Sequence, residues 1–340
     1  MKKSIVFALF ACLLLALCAC TNKLLGQIPQ GDGESTSLSV SEIEETPATD
    51  FKWEYNNEEQ TEIVITEYVG TSDTVVIPEK IEGLPVVRII GVRDENNILI
   101  KGAFEESDIQ TVVIPKTVRA IWGFAGCKNL KTVLFKEGSA LGAIDGFQGC
   151  TALEALDLSK TALEKVGGFE GCTALKQIKL PDSVTGISER AFYQCTALES
   201  IDLPANLERI DREAFGNCTS LKSITVPAKL DLVNGMDAVT FHTLSSLEEI
   251  VFEEGREKLS GYAFFEIKTN AKIIIPASVK EFDSAAFFIY SDVEFVFKGD
   301  FPTLAGKKDF YGTPTISYDP ATKGWEDCPW REDYTVKPIE

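Results

Sequence analysis

Five cysteines recur at Cys127, Cys150, Cys172, Cys195 and Cys218, separated by 23, 22, 23 and 23 residues. Thiolates bind zinc, exchange disulfides and act as nucleophiles, so a periodic set of them is the first candidate for chemistry. Zinc is disfavoured. There is no C-x2-C pair in the series, and the chain's one histidine, His242, lies outside it. Disulfides between stacked coils are within reach if neighbouring strands lie about 4.8 Å apart. One thiol per period in one slot is nevertheless explained by packing alone, as an inward column of small apolar side chains. Cys328 stands apart from the series. A single histidine also leaves little room for triad chemistry. Acidic residues number 52 against 33 basic ones. Two carboxylates could meet by folding and serve a glycosidase, at about 5–10 Å separation, but no motif selects such a pair. The formal charge of −19 repels phosphate backbones and excludes nucleic acid as the natural partner. The chain has no phosphate loop, nucleophile elbow or calcium loop of the EF type, so neither a cofactor nor a metal is expected.

Cys20 has a different chemistry. Lys2 and Lys3 precede an apolar run from Ile5 to Leu17, shorter than the roughly 20 residues a membrane span needs and suited to a secretory signal. The run ends at Leu17-Cys18-Ala19-Cys20. Leu at −3 and Ala at −1 before a cysteine resemble a bacterial lipobox, so Cys20 is expected to be lipidated once residues 1–19 are removed. Residues 20–50 are rich in Gly, Ser, Thr, Glu and Pro without an aromatic. They read as a flexible tether reaching roughly 30 Å. The triplet Asn217-Cys218-Thr219 matches a glycosylation signal, but its place inside a packed repeat makes it a chance match.

The cysteines belong to a repeat that must position everything else. GFEGCTALKQIKLPDSVTGISER (168–190), AFYQCTALESIDLPANLERIDRE (191–213) and AFGNCTSLKSITVPAKLDLVNG (214–235) align slot by slot. The unit is (A/G)-F-x-x-C-x-x-L-x-x-I-x-(L/I/V)-P-x-x-(L/V)-x-x-I. Its phenylalanines, Phe104, Phe124, Phe147, Phe169, Phe192, Phe215, Phe241, Phe264 and Phe287, step by 20, 23, 22, 23, 23, 26, 23 and 23. A period of roughly 20–29 residues with recurring aliphatics predicts a leucine-rich solenoid. Within a coil, alternating apolar residues such as Ile224 and Val226 predict a strand with one face inward. Pro115, Pro181, Pro204, Pro227 and Pro276 end that strand by removing a donor. A second apolar pair such as Leu207 and Ile210 predicts a short extended or turn segment. The F-x-x-C-x-x-L stretch suits a short helical turn. No coil can close a core alone, so stability must come from neighbours.

These units, with TSDTVVIPEKIEGLPVVRII (71–90), resemble the BspA-like leucine-rich repeat family of bacterial surface proteins over roughly residues 62–300. The L-x-x-L-x-L-x-x-N form with its Asn ladder is absent, and an insertion (LDLVNGMDAV) precedes Phe241. The expected fold is a leucine-rich-repeat solenoid of stacked coils with a parallel β-sheet on one face. Its expected limits are 51–300 with an N-terminal cap at EIVITEYVGTSDTVVIP, followed by a C-terminal cap over 301–340 shielded by Trp325, Trp330 and Tyr334. The resemblance implies adhesion to host matrix proteins such as fibronectin or fibrinogen, or to other cells. The protein is then expected to be a monomeric, non-enzymatic binder, lipid-anchored to the cell envelope and surface-exposed. A cell-envelope accessory protein with a bacterial partner is the second reading, and a carboxylate-dependent enzyme on surface polymers the third.

The ligand-binding expectation falls on the outward strand slot. One residue per coil occupies it: Val76, Val113, Leu134, Asp157, Lys179, Asp202, Thr225, Val251, Ile274 and Val296. Asp157, Lys179, Asp202 and Thr225 are its polar centre and the expected contact for a protein ligand. The aliphatic ends are either a further contact strip or are covered by terminal segments.

Overall fold

The computed structural model describes residues 44–96, 98–231, 240–259, 264–267, 270–284, 287–289, 292–304, 310 and 312–339, with backbone alone at 264–267 and 288–289. The expected signal segment, Cys20 and most of the tether lie outside the described residues, as does 232–239 of the insertion.

The two apolar pairs of each unit build two columns of parallel strands in about 11 stacked turns. The front column carries the first pair. Thr74–Val76, Thr111–Ile114 and Thr132–Phe135 pair in parallel, as do Ala155–Asp157 and Gln177–Lys179. A longer sheet follows through Ser223–Val226, Glu249–Phe252, Lys272–Ile275, Glu294–Phe297, Thr315–Tyr318 and Thr335–Pro338. The second column consists mainly of two-residue strands: Ala120–Ile121, Ala143–Ile144, Lys165–Val166, Gly186–Ile187 and Arg209–Ile210. Ile178, Ile224, Ile250 and Ile273 from the first column and Ile121, Ile144, Val166, Ile187 and Ile210 from the second are buried between them. The prolines turn the chain from one column to the other. Each accepts a hydrogen bond from the amide three residues on, as in Val118 to Pro115, Val184 to Pro181 and Leu207 to Pro204, at 3.2, 3.2 and 2.9 Å.

On the third side the structure corrects the expected helical turn. The cysteine amide bonds the phenylalanine carbonyl three residues back, as in Cys172 to Phe169 at 3.1 Å, but the residue just before the cysteine is left-handed. This slot has φ of 58° at Glu106, 69° at Gly126, 71° at Gly149, 70° at Gly171, 59° at Gln194, 60° at Asn217 and 57° at Thr243. A left-handed residue stops a right-handed helix after one turn. Its amide instead bonds the next coil: Gly149 to Glu170, Gly171 to Tyr193 and Gln194 to Gly216, at 2.8, 2.8 and 2.9 Å. Backbone hydrogen bonding therefore continues up all three sides.

The core is a ladder of aromatic rings. Phe104, Phe124, Phe147, Phe169, Phe192, Phe215 and Phe241 stack with centroids 4.6, 5.1, 5.6, 5.6, 5.3 and 5.2 Å apart and planes within 16°. Tyr68 extends it at the N-terminal end, 5.1 Å from Phe104. Stacked rings can share one slot because the coils stay in register.

The caps differ in detail from the expected ones. The hairpin at the N-terminal end joins Phe51–Tyr55 to Ile63–Tyr68 in antiparallel fashion; its second strand lies in the stretch expected for the cap and its first strand upstream of it, because Thr74–Val76 already belongs to the front column. Contacts to the body begin still earlier, inside the stretch read as tether. The Thr46 amide donates to the Val76 carbonyl and the Val76 amide to Thr46 Oγ1, each at 2.9 Å. At the other end the parallel sheet runs past residue 300, through Thr335–Pro338. Trp325 and Trp330 are buried, Trp325 stacking on Tyr318 at 5.0 Å and donating its Nε1 proton to the Gly299 carbonyl.

Candidate functional site

The outward slot forms a row, broken into pieces by the sheet. Parallel pairing sets Val76 beside Val113 and Leu134, Asp157 beside Lys179, and Thr225 beside Val251, Ile274 and Val296. Lys179 Nζ lies 3.5 Å from Asp157 Oδ2. Partial burial pushes the Asp157 carboxyl up, but hydrogen bonds from the Ser159 hydroxyl and amide, at 2.6 and 3.0 Å, together with Lys179, hold it below the usual range. Asp202 is exposed on a stretch with no assigned strand, so it lies between the sheet pieces that hold Lys179 and Thr225. Thr225 is exposed. The aliphatic ends are not an open strip. Val76, Val113 and Val296 are 1%, 0% and 6% exposed, and Leu134, Val251 and Ile274 are half-buried. Thr46 bonds across Val76, while Lys136 holds the neighbouring Glu45 at 3.1 Å.

A second feature of this face was readable but overlooked. The residue after the unit's leucine alternates in charge coil by coil: Lys131, Glu154, Lys176, Glu199, Lys222, Glu248. From Glu154 to Glu248 their backbones bond one to the next, and Lys176–Glu154 and Lys222–Glu199 are ion pairs at 2.9 and 3.2 Å. Glu249, Lys272 and Glu294 repeat the alternation further along. In-register stacking puts each slot about 4.8 Å from its copy. Like charges there would repel by about 0.9 kcal/mol in water, so alternation removes a penalty at every step. The signal lay in comparing one slot across copies, not in reading along the chain.

The cysteine column is packed as expected. Cys127, Cys150, Cys172, Cys195 and Cys218 are free and buried. Their thiols donate to the phenylalanine carbonyls of the preceding coil, from Phe104 O at 2.9 Å to Phe192 O at 3.1 Å. Burial pushes Cys172 and Cys218 up to about 12, and Cys195 well up. Such thiols stay protonated and are poor nucleophiles. His242 is half-buried, with Nδ1 3.2 Å from Thr243 Oγ1 and its ring 6.1 Å from Tyr193. Among the described residues no group of three or more His, Cys, Asp or Glu could hold a metal ion.

The repeat matches the family described as BspA type leucine rich repeat region, in 6 copies spanning residues 97–168, 145–237, 166–294 and 231–317. Among solved structures, a leucine rich repeat protein of T. pallidum (TpLRR) is 26% identical, covers 68% of this chain and 86% of its own, and superposes with a TM-score of 0.43. A leucine rich cell surface protein from Faecalibacterium prausnitzii A2-165 is 19% identical, with coverages of 78% and 96% and a TM-score of 0.32. The pneumococcal vaccine antigen PcpA is 15% identical, with coverages of 78% and 98% and a TM-score of 0.26. No curated protein matches the chain.

Proposed function

The chain belongs to the BspA-type leucine-rich repeat family, and on that premise we propose that it is a non-enzymatic, lipid-anchored cell-surface protein whose front face captures a protein ligand. The observation that carries this reading is the polar centre of the outward row, with Asp157 and Lys179 on paired strands, Thr225 on the longer sheet and Asp202 between them. Rigid mounting matters because ordering mobile loops subtracts from binding free energy. A standard interface takes about 800 Å² per partner, a patch roughly 28 Å across. At about 4.8 Å per coil that spans some six coils, so the ligand must read neighbouring slots as well. The signal-like run from Ile5 to Leu17 supports export, and Cys20 supplies the anchor.

The test is capture of the protein on immobilised fibronectin, fibrinogen and the producing cell's own envelope fraction. Reversing Asp157→Lys, Lys179→Glu and Asp202→Lys together should abolish capture while the melting temperature stays within a few degrees. Unchanged capture by the folded triple variant removes this face as the site. Capture by the envelope fraction alone moves the ligand from host matrix to the producing cell. Cys20→Ala should shift the protein from the membrane to the soluble fraction.

A further inference from the structure

The ladder ring before Phe104 is Tyr68, 36 residues earlier, and a hairpin takes up part of this long interval. Gly91–Arg93 pairs antiparallel with Leu99–Gly102, and this hairpin folds back over the outer side of Ile63–Tyr68. Gly91 is required there. At φ 127° it lies so close to the returning strand that a Cβ would sit 1.9 Å from the Lys101 carbonyl oxygen. Lys101 in turn holds Glu67 at 3.2 Å, fastening the hairpin to the strand below.

The hairpin and the first strand enclose a cleft of about 390 Å³, within the lower range of small-molecule sites. Its floor is irregular in a specific way. The pairing of Phe51–Tyr55 with Ile63–Tyr68 skips Thr66, and that of Ile63–Tyr68 with Leu84–Ile89 skips Val87. Bulges of this kind re-aim side chains and are enriched beside sites. Thr66 lines the cleft and is only 8% exposed, yet its hydroxyl has no hydrogen-bond partner among the described residues. It is not sealed away either, since it is absent from the fully buried unsatisfied groups. A hydroxyl so placed lacks a partner that a ligand can supply.

The remaining lining sets the ligand's chemistry. Arg88 and Arg93 face the same space as Glu54 and Asp94, so the formal charges cancel and a phosphate or a strongly anionic ligand has no preference for it. Both donors and acceptors line it, Arg88 and Asn56 among the first and Glu54 and Asp94 among the second. Asp94 is fixed through Oδ1 by the Asn96 and Ile98 amides at 2.9 and 2.8 Å. Val64 and Ile90 supply small apolar areas, and Tyr55 stands at the rim, 43% exposed. A polyhydroxylated ring answers each of these. Every hydroxyl both donates and accepts, and its C–H face suits the apolar spots. We propose that this cleft binds one or two residues of an oligosaccharide, separately from protein capture on the front row.

Saturation-transfer NMR on the full chain with maltohexaose, cellohexaose, chitohexaose and laminarihexaose tests this. At least one probe should give a saturable signal. Thr66→Val and Arg88→Ala should each weaken binding of that probe roughly tenfold, the loss of one hydrogen bond. The front-row triple variant should bind it unchanged. Arg88 is exposed, so its variant keeps the test decisive should Thr66→Val fail to fold. No signal from any of the four probes, or a signal indifferent to both cleft variants, overturns the proposal.

Discussion

Raising the pH from 7.5 to 10 should destabilise the stack through its own thiols. Cys172 and Cys218 are held at about 12 by burial, against an ordinary value of 9.0. Cys195 moves the same way by burial, and Cys150 by its hydrogen bond to Cys127 and then by burial. A thiol whose folded value is raised keeps its proton when the unfolded chain has lost its own. Its contribution is therefore fully present below 9 and is lost progressively between about 9 and 12. At pH 10 an unfolded thiol is about nine-tenths ionised and the folded one almost neutral, a cost of about 1.4 kcal/mol each. Cys172 and Cys218 together thus remove about 3 kcal/mol, a large share of a typical stability of 5–15 kcal/mol. The assay is urea unfolding at pH 7.5, 9 and 10 for the natural chain and for Cys172→Ala with Cys218→Ala. The double variant starts less stable because two small cavities open. The Phe147 carbonyl that Cys172 serves keeps the Cys150 amide at 3.1 Å. Between pH 7.5 and 10 the variant should lose about 3 kcal/mol less than the natural chain, tyrosine and lysine titration being common to both. Parallel pH profiles would refute the buried, protonated column.

Three further outcomes follow from the stack. Phe169 is fully buried with Phe147 and Phe192 each 5.6 Å away, so Phe169→Ala should cost about 3–5 kcal/mol; calorimetry showing less than 1 would deny the ladder its role. Gln194 occupies the left-handed slot at φ 59° where three other coils carry glycine, so Gln194→Gly should raise stability by about 1 kcal/mol, read as a higher urea midpoint. Lys176→Glu sets three acids in succession and should cost about 1 kcal/mol at low ionic strength and much less in 1 M salt. Adding Glu154→Lys should recover part of it, and a double-mutant cycle without coupling would contradict the charge alternation.

The fold was legible because a stack multiplies its own signal. Each slot is printed once per coil, so Phe, Cys, Leu and Ile at fixed spacing outweigh any local propensity, and the strands on Ile224 and Val226 needed only alternation. The left-handed turn was not legible for the converse reason. Its slot holds Glu, Gly, Gly, Gly, Gln, Asn and Thr from Glu106 to Thr243, and the only common property is the backbone angle that stacking enforces. Glycine at three copies hinted at it, while Gln194 and Thr243 concealed it by tolerating the strain. The ends were misread because they break the period. Thr46 meets Val76 through a contact thirty residues apart, which no repeat unit records.

The same asymmetry governs the sites. Asp157 and Lys179 could be placed side by side from the sequence, since register alone decides that neighbours in one slot touch across parallel strands. The cleft could not, because nothing in it is periodic. Thr66 looks like one more alternating strand residue, and Ile98, Leu99 and Ile100 look like core, yet the three are 62%, 38% and 64% exposed on the hairpin. A solenoid's regular coils must be interchangeable to stack, so they can carry shared, repeated contacts. Selectivity for a small ligand requires groups converging from different directions, and it arises only where a coil departs from the unit. On physical grounds the irregular N-terminal coils are therefore the place for a pocket, and the regular coils from Cys127 to Cys218 the place for a broad face. Inserting one additional consensus coil between residues 190 and 191 separates the two. It should leave oligosaccharide binding at the cleft intact, since no cleft residue moves relative to another. It should weaken protein capture on the front row, since Lys179 and Asp202 would then lie one coil further apart.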